Sequence, residues 1–125
     1  MAKILLIEDD ALVADAVQTV LRKAGYTVVT IPNGAVALAK LEGERPDLIL
    51  TDILMPEKEG IETIRDIRAR DQQVPIVVYS GGGMMKNFEF LNMAVKLGAN
   101  DALRKPFANE ELLAVVKRAL ENRIA

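Results

Sequence analysis

The sequence predicts a doubly wound α/β fold: five parallel strands in one sheet, with helices on both faces. Three observations predict it. Short apolar runs rich in β-formers alternate with longer stretches of helical period along all 125 residues. The runs are mostly continuous rather than alternating, as expected of strands buried on both faces. Half the residues are apolar and none is Cys, so one domain of this length builds its core without staples.

The elements follow in order. Ile4-Leu5-Leu6-Ile7 is the first strand. Val13, Ala16, Val17, Val20, Leu21 and Ala24 then recur at spacings of three and four, a helix with Asp10 as N-cap and Gly25 as stop. Tyr26 to Ile31 is a Val/Thr-rich second strand, and the Pro32-Asn33-Gly34 turn leads to a short helix from Ala35 to Leu41. Leu48-Ile49-Leu50-Thr51 is the third strand, and Ile61, Ile64 and Ile67 mark the helix after Gly60. Ile76-Val77-Val78-Tyr79 is the fourth strand, while Phe88, Leu91, Ala94 and Val95 mark a fourth helix ended by Gly98. A short fifth strand surrounds Asp101-Ala102-Leu103, and Leu112, Val115, Val116, Ala119 and Leu120 form the last helix, capped by Asn109. The result is (βα)5, a single domain over residues 1–125.

Composition narrows the chemistry. Lys plus Arg number 16 against 18 Asp plus Glu, a net charge of -2, and there is no His. Without His or Cys there is no Cys/His zinc site, no Ser-His-Asp triad, no thiol nucleophile and no phosphohistidine within the chain. Carboxylates, lysines, hydroxyls and backbone are left to do the work. The absence of a basic block argues against nucleic-acid binding, which needs a concentrated positive face. The four apolar residues Ile4 to Ile7 before Glu8 are too few for a signal-peptide core or a membrane span. The expected location is the cytoplasm, with no membrane partner.

Right-handed crossovers bring the C-terminal ends of all strands to one edge, where open α/β sheets bind ligands. Glu8, Asp9 and Asp10 follow the first strand, Asp52 the third, Ser80 the fourth and Lys105 the fifth. Helix capping accounts for Asp10 but not for three acids. Converging Glu8, Asp9 and Asp52 would repel one another unless a cation lay between them, and such oxygen donors suit Mg²⁺. Taken singly, Lys105 is an ordinary surface cation and Ser80 an ordinary turn residue. Taken together with the acids, they complete a set. A carboxylate that accepts a phosphoryl group needs Mg²⁺, a fixed cation and a hydroxyl or amide donor around the transferred oxygens. Asp52 reads as that carboxylate.

These residues resemble the receiver domains of two-component response regulators, from Lys3 to about Arg123, and most closely the single-domain chemotaxis type. Four motifs carry the resemblance: Ile4-Leu5-Leu6-Ile7-Glu8-Asp9-Asp10; Asp52-Ile53-Leu54-Met55-Pro56 with Gly60 eight residues after the Asp; Ser80 closing the fourth strand; and Lys105-Pro106-Phe107. The resemblance implies a flavodoxin-like sheet of order 2-1-3-4-5. It implies that Asp52 is the phosphoacceptor, that Asp9 and Asp52 ligate Mg²⁺ directly, and that Glu8 does so through water and Leu54 through its backbone carbonyl. Lys105 and Ser80 would hold phosphoryl oxygens, and the Lys105-Pro106 peptide would be cis.

The departures from the family pattern set further expectations. The position where many receivers carry an inward-swinging aromatic is Ala102, so the switch would involve Ser80 with the Gly81-Gly82-Gly83 run, or Tyr79 in place of the aromatic. A half-buried strand aromatic is the plainer reading of Tyr79. Leu54 and Gly82 occupy the positions that tune hydrolysis in the family, and neither side chain hydrogen-bonds water, so no acceleration of self-dephosphorylation is expected.

The donor would be a histidine kinase or histidine phosphotransfer protein, with slow self-phosphorylation from small phosphodonors. Output would be binding to a downstream protein. Phe90 and Met93, beside Met84 and Met85, are candidate contacts, and Ala14, Asp15 and Gln18 are candidate pairing positions. The chain is read as a complete monomer, with dimerisation on phosphorylation as an option. A receiver cut from a longer regulator with a DNA-binding or enzymatic output domain is the main alternative, and an interaction module without phosphorylation is another. A flavodoxin-like cofactor domain would not place Glu8-Asp9-Asp10 where its phosphate loop belongs. An aspartyl-phosphate phosphatase would want an Asp where Leu54 stands.

Overall fold

The computed structural model describes residues 2–52, 59–80, 95–104 and 107–122. Strands β1 (Lys3–Ile7), β2 (Thr27–Ile31), β3 (Leu48–Asp52), β4 (Ile76–Ser80) and β5 (Asp101–Arg104) form one sheet of order β2-β1-β3-β4-β5. Every pairing is parallel. Helices α1 (Ala11–Lys23), α2 (Gly34–Glu44), α3 (Glu59–Arg70) and the C-terminal helix Asn109–Asn122 cover it. This is the fold class and strand order expected.

Side chains along a strand alternate between faces, and the sheet therefore has two cores. Leu5, Ile7, Ile49, Ile76 and Val78 face Ala37, Leu41, Ile64 and Ile67 of α2 and α3. Ile4, Leu6, Leu48, Leu50, Val77, Tyr79 and Leu103 face Ala14, Val17 and Leu21 of α1, together with Leu112, Val115, Val116 and Ala119 of the C-terminal helix. β3, the middle strand, is buried along its whole length. The strand ends are thereby held in a rigid frame.

Local chemistry sets the boundaries. Asp10 caps α1 as expected, its Oδ1 accepting from Leu12 N at 2.9 Å and Val13 N at 3.3 Å. Gly25, at φ 103, carries the chain out of that helix. β2 starts at Thr27 rather than Tyr26, because Tyr26 N bonds back to Leu21 O at 3.1 Å. α2 is longer at both ends than the expected 35–41. Asn33 Oδ1 accepts from Val36 N at 3.0 Å, and Arg45, left-handed at φ 47, bonds to Leu41 O at 3.0 Å.

Asn109 does not cap the C-terminal helix but is its first residue. Glu111 Oε1 accepts from Ala108 N at 2.9 Å while Ala108 O accepts from Glu111 N at 3.0 Å, a reciprocal pair in which the Glu111 side chain closes the end in place of Asn109. Of the expected fourth helix, residues 95–97 are described and helical, and Gly98, at φ 128, ends it.

At the edge opposite the acids, Arg68 of α3 donates to Gly98 O at 2.9 Å, Asp71 O at 3.1 Å and Asn100 Oδ1 at 2.9 Å. Asn100 in turn brackets Ile76, its Oδ1 accepting from Ile76 N at 2.8 Å and its N donating to Ile76 O at 2.7 Å. These bonds set where β4 and β5 begin, and so where they end.

Candidate functional site

Parallel register brings the acids together. Ile7 pairs with Thr51, which places Glu8 and Asp52 at the next step along neighbouring strands. Asp52 pairs with Tyr79, Tyr79 with Leu103, and Ser80 with Arg104. Carboxylate oxygens of Glu8, Asp9 and Asp52 lie within 4.8 Å of one another. Glu8 is 4% and Asp52 8% exposed, whereas Asp9 faces solvent. Two largely dehydrated carboxylates and one exposed one concentrate negative charge at this strand edge.

Glu8 is oriented from both sides. Its Oε2 accepts from Asp10 N at 3.0 Å, and its Oε1 accepts a short hydrogen bond from the Tyr79 hydroxyl. Burial, the bond to Glu8 and the charges of Glu8, Asp52 and Asp9 push the Tyr79 hydroxyl far above its ordinary pKa of 10.0, so it is a neutral donor. The Tyr79 ring is fully buried and meets Phe107 edge-on, with centroids 6.0 Å apart at 70°. Three convergent carboxylates, one of them exposed, suit a small hard cation such as Mg²⁺. They repel a bare phosphate.

The sequence pattern of the response regulator receiver domain matches residues 4–117. The chain belongs to this receiver family. Domains of the family are phosphoacceptor signalling modules rather than classical enzymes. The chain is 36% identical over 119 residues to the alkaline phosphatase synthesis transcriptional regulatory protein PhoP of Bacillus subtilis, covering 94% of the chain and 48% of that protein. It is 38% identical over 120 residues to a transcriptional regulatory protein CpxR homolog of Haemophilus influenzae, covering 96% of the chain and 51% of that protein. The receiver thus spans about half the length of these curated relatives. The crystal structure of a CheY-like response regulator receiver domain protein from Methanospirillum hungatei superposes with a TM-score of 0.88 at 26% identity, covering 98% of the chain and 96% of that one.

The receiver fold places the residues singled out from sequence unevenly. Glu8, Asp9 and Asp52 converge as expected. Ser80 is the last residue of β4. Ala102 pairs with Val78 and packs partly buried against the α2/α3 core. Leu54, Gly81, Gly82, Gly83, Met84, Met85, Phe90, Met93, Lys105 and Pro106 lie outside the described residues. Among the described residues, no helix is long and apolar enough to cross a membrane.

Two expectations are corrected. Tyr79 is not a half-buried strand aromatic: its ring belongs to the α1 core and its hydroxyl ends in the acidic cluster. The signal was present in the alternation, since Val77 and Tyr79 share the face of Leu50 and Asp52. Ala14 is only 7% exposed and packs into the core, leaving no contact surface for pairing. Asp15 is exposed, and Gln18 Oε1 accepts from Thr30 Oγ1 at 3.0 Å. Leu12, 82% exposed, was missed as a surface feature. It lines an open apolar groove of about 360 Å³ with Val13, Ala16, Val20, Phe107 and Leu112, between α1 and the C-terminal helix.

Proposed function

We propose that this receiver is a phosphorylation-dependent switch in which Asp52 accepts a phosphoryl group from a phosphohistidine of a histidine kinase or phosphotransfer protein. The observation that carries the proposal is the convergence of Glu8, Asp9 and Asp52 in a chain that has no His of its own. An Asp52 carboxylate oxygen attacks phosphorus, the P–N bond to the donor imidazole breaks, and the imidazole leaves with its electron pair and takes up a proton. The product is an acyl phosphate. Asp9 and Asp52, with Glu8 through water and the Leu54 carbonyl, would hold Mg²⁺, which neutralises charge on the transferred oxygens. Lys105 and Ser80 are the cation and hydroxyl for the remaining oxygens. Glu8, braced by Tyr79 and Asp10 N, keeps its charge where the cation belongs.

The test is mass gain on Asp52 with acetyl phosphate and Mg²⁺. Wild type gains one phosphoryl group and Asp52→Asn gains none. Equal gain in the two proteins, or none in wild type, overturns the assignment.

Residues 1–125 act as one receiver unit in this reading, cytoplasmic, with output through protein contact. A second reading is supported by the relatives named as transcriptional regulators, of which the chain spans about half. In it the receiver controls a DNA-binding output domain of a longer protein. The size of the natural gene product distinguishes the two.

A further inference from the structure

None of the four motifs that carry the resemblance includes Tyr79, whose ring is fully buried and whose hydroxyl ends on Glu8. A tyrosine serving as a mobile lever needs space to swing. This one has none, because its ring is packed in the α1 core and braced edge-on by Phe107 at 6.0 Å. A buried hydroxyl is also costly to leave unpaired, so the strand holds it on an acceptor. That acceptor is a carboxylate only 4% exposed, whose other oxygen is already fixed by Asp10 N at 3.0 Å.

We propose that Tyr79 is a positioning residue of the acidic cluster, its hydroxyl holding the Glu8 carboxylate beside Asp9 and Asp52 so that the cluster binds Mg²⁺. The inference rests on the Mg²⁺ reading above and deepens it. Tyr79 and Asp10 N each hold one Glu8 oxygen, which fixes the carboxylate within 4.8 Å of its acidic neighbours. Without the hydroxyl, Glu8 Oε1 loses the donor that fixes it at the end of β1. Partners that orient metal-binding groups in this way are typically worth roughly 10- to 100-fold in affinity.

The chain provides its own reporter, because it has two tyrosines, Tyr26 and Tyr79, and no tryptophan. In Tyr26→Phe, tyrosine emission comes from Tyr79 alone, and a phenol bonded to a carboxylate emits differently when that carboxylate engages a cation. Magnesium chloride is titrated into Tyr26→Phe, with emission and calorimetry recorded together. Tyr79→Phe, Glu8→Ala and the Glu8→Ala/Tyr79→Phe pair are titrated by calorimetry. Expected results are an emission change that saturates with the calorimetric isotherm, and a Kd weakened roughly 10-fold in Tyr79→Phe. Tyr79→Phe should add nothing in the Glu8→Ala background. A wild-type Kd in Tyr79→Phe, silent emission during saturable binding, or a further loss in the double variant each overturns the positioning role while leaving the Mg²⁺ site intact. No Mg²⁺ binding by wild type overturns both.

Discussion

Asp52→Asn should make the receiver more stable in metal-free buffer. Carboxylate oxygens of Asp52, Glu8 and Asp9 lie within 4.8 Å of one another. At that separation two unit charges repel by about 0.9 kcal/mol in bulk water and about 3.5 kcal/mol at an effective dielectric constant of about 20. Asp52 is 8% and Glu8 4% exposed, so their repulsion belongs nearer the second figure than the first. That repulsion bounds what removing the Asp52 charge can release, so Asp52→Asn, which keeps the shape, should raise unfolding free energy by up to about 3 kcal/mol, or Tm by up to roughly 10 °C for a domain of this size.

The measurement is urea unfolding at neutral pH, followed by far-UV circular dichroism, with EDTA and then with Mg²⁺. Magnesium at about 100 times Kd should stabilise wild type by about 2.7 kcal/mol and Asp52→Asn by much less. The order of the two proteins then closes up or reverses. If Asp52→Asn were no more stable than wild type in EDTA, the cluster would not be the electrostatic strain described. Equal Mg²⁺ stabilisation of both would remove Asp52 from the cation's ligands.

Three further outcomes are expected. The Tyr79 hydroxyl is raised far above 10.0 in the fold, so its contribution is complete below pH 10 and is lost as the unfolded chain ionises above it. Wild type should lose about 1.4 kcal/mol by pH 11 that Tyr79→Phe does not lose, read from urea midpoints at pH 9 and 11. A methyl group at Gly34 would meet Thr63 Oγ1 at 1.9 Å, whereas one at Gly43 meets nothing within 4 Å. Thermal melts should therefore show Gly34→Ala destabilised by about 1–3 kcal/mol and Gly43→Ala stabilised by about 0.5–1 kcal/mol through helix propensity. Arg68→Ala loses bonds to Gly98 O, Asp71 O and Asn100 Oδ1 at the far edge, and should cost about 1–3 kcal/mol with an unchanged Mg²⁺ isotherm.

The architecture was legible because each strand is a short apolar run and each crossover has its own helical period. Strand order was not contained in those periods and came from the resemblance alone. Helix ends were partly legible. Asp10 and Asn33 cap through their own side chains, a local event that residue type predicts. Asn109 failed because a glutamate three residues after Ala108 closes the helix instead, and two competing local solutions look alike in sequence. Ala14 failed for a different reason. Its place on α1 borders both the core stripe and the surface, and only packing against the sheet decides between them.

The acidic cluster was legible for a reason that also explains why Tyr79 was not. Glu8 follows an apolar run directly and Asp52 follows one across Thr51, so the topology that lines up strand ends brings them together whatever their rotamers. Tyr79 lies one residue inside its strand, and there alternation assigns a face but not the reach of the side chain. A phenol spans enough distance to leave the core and touch the rim. A shorter residue at position 79 would end within the apolar core that holds Leu50, Val77 and Leu103. The proposed Mg²⁺ site therefore draws on a core residue whose far end is polar. In its sheet, Phe107 braces the ring from beside the fifth strand while Glu8 takes the hydroxyl at the end of the first, so one side chain ties together elements that the strand order keeps apart.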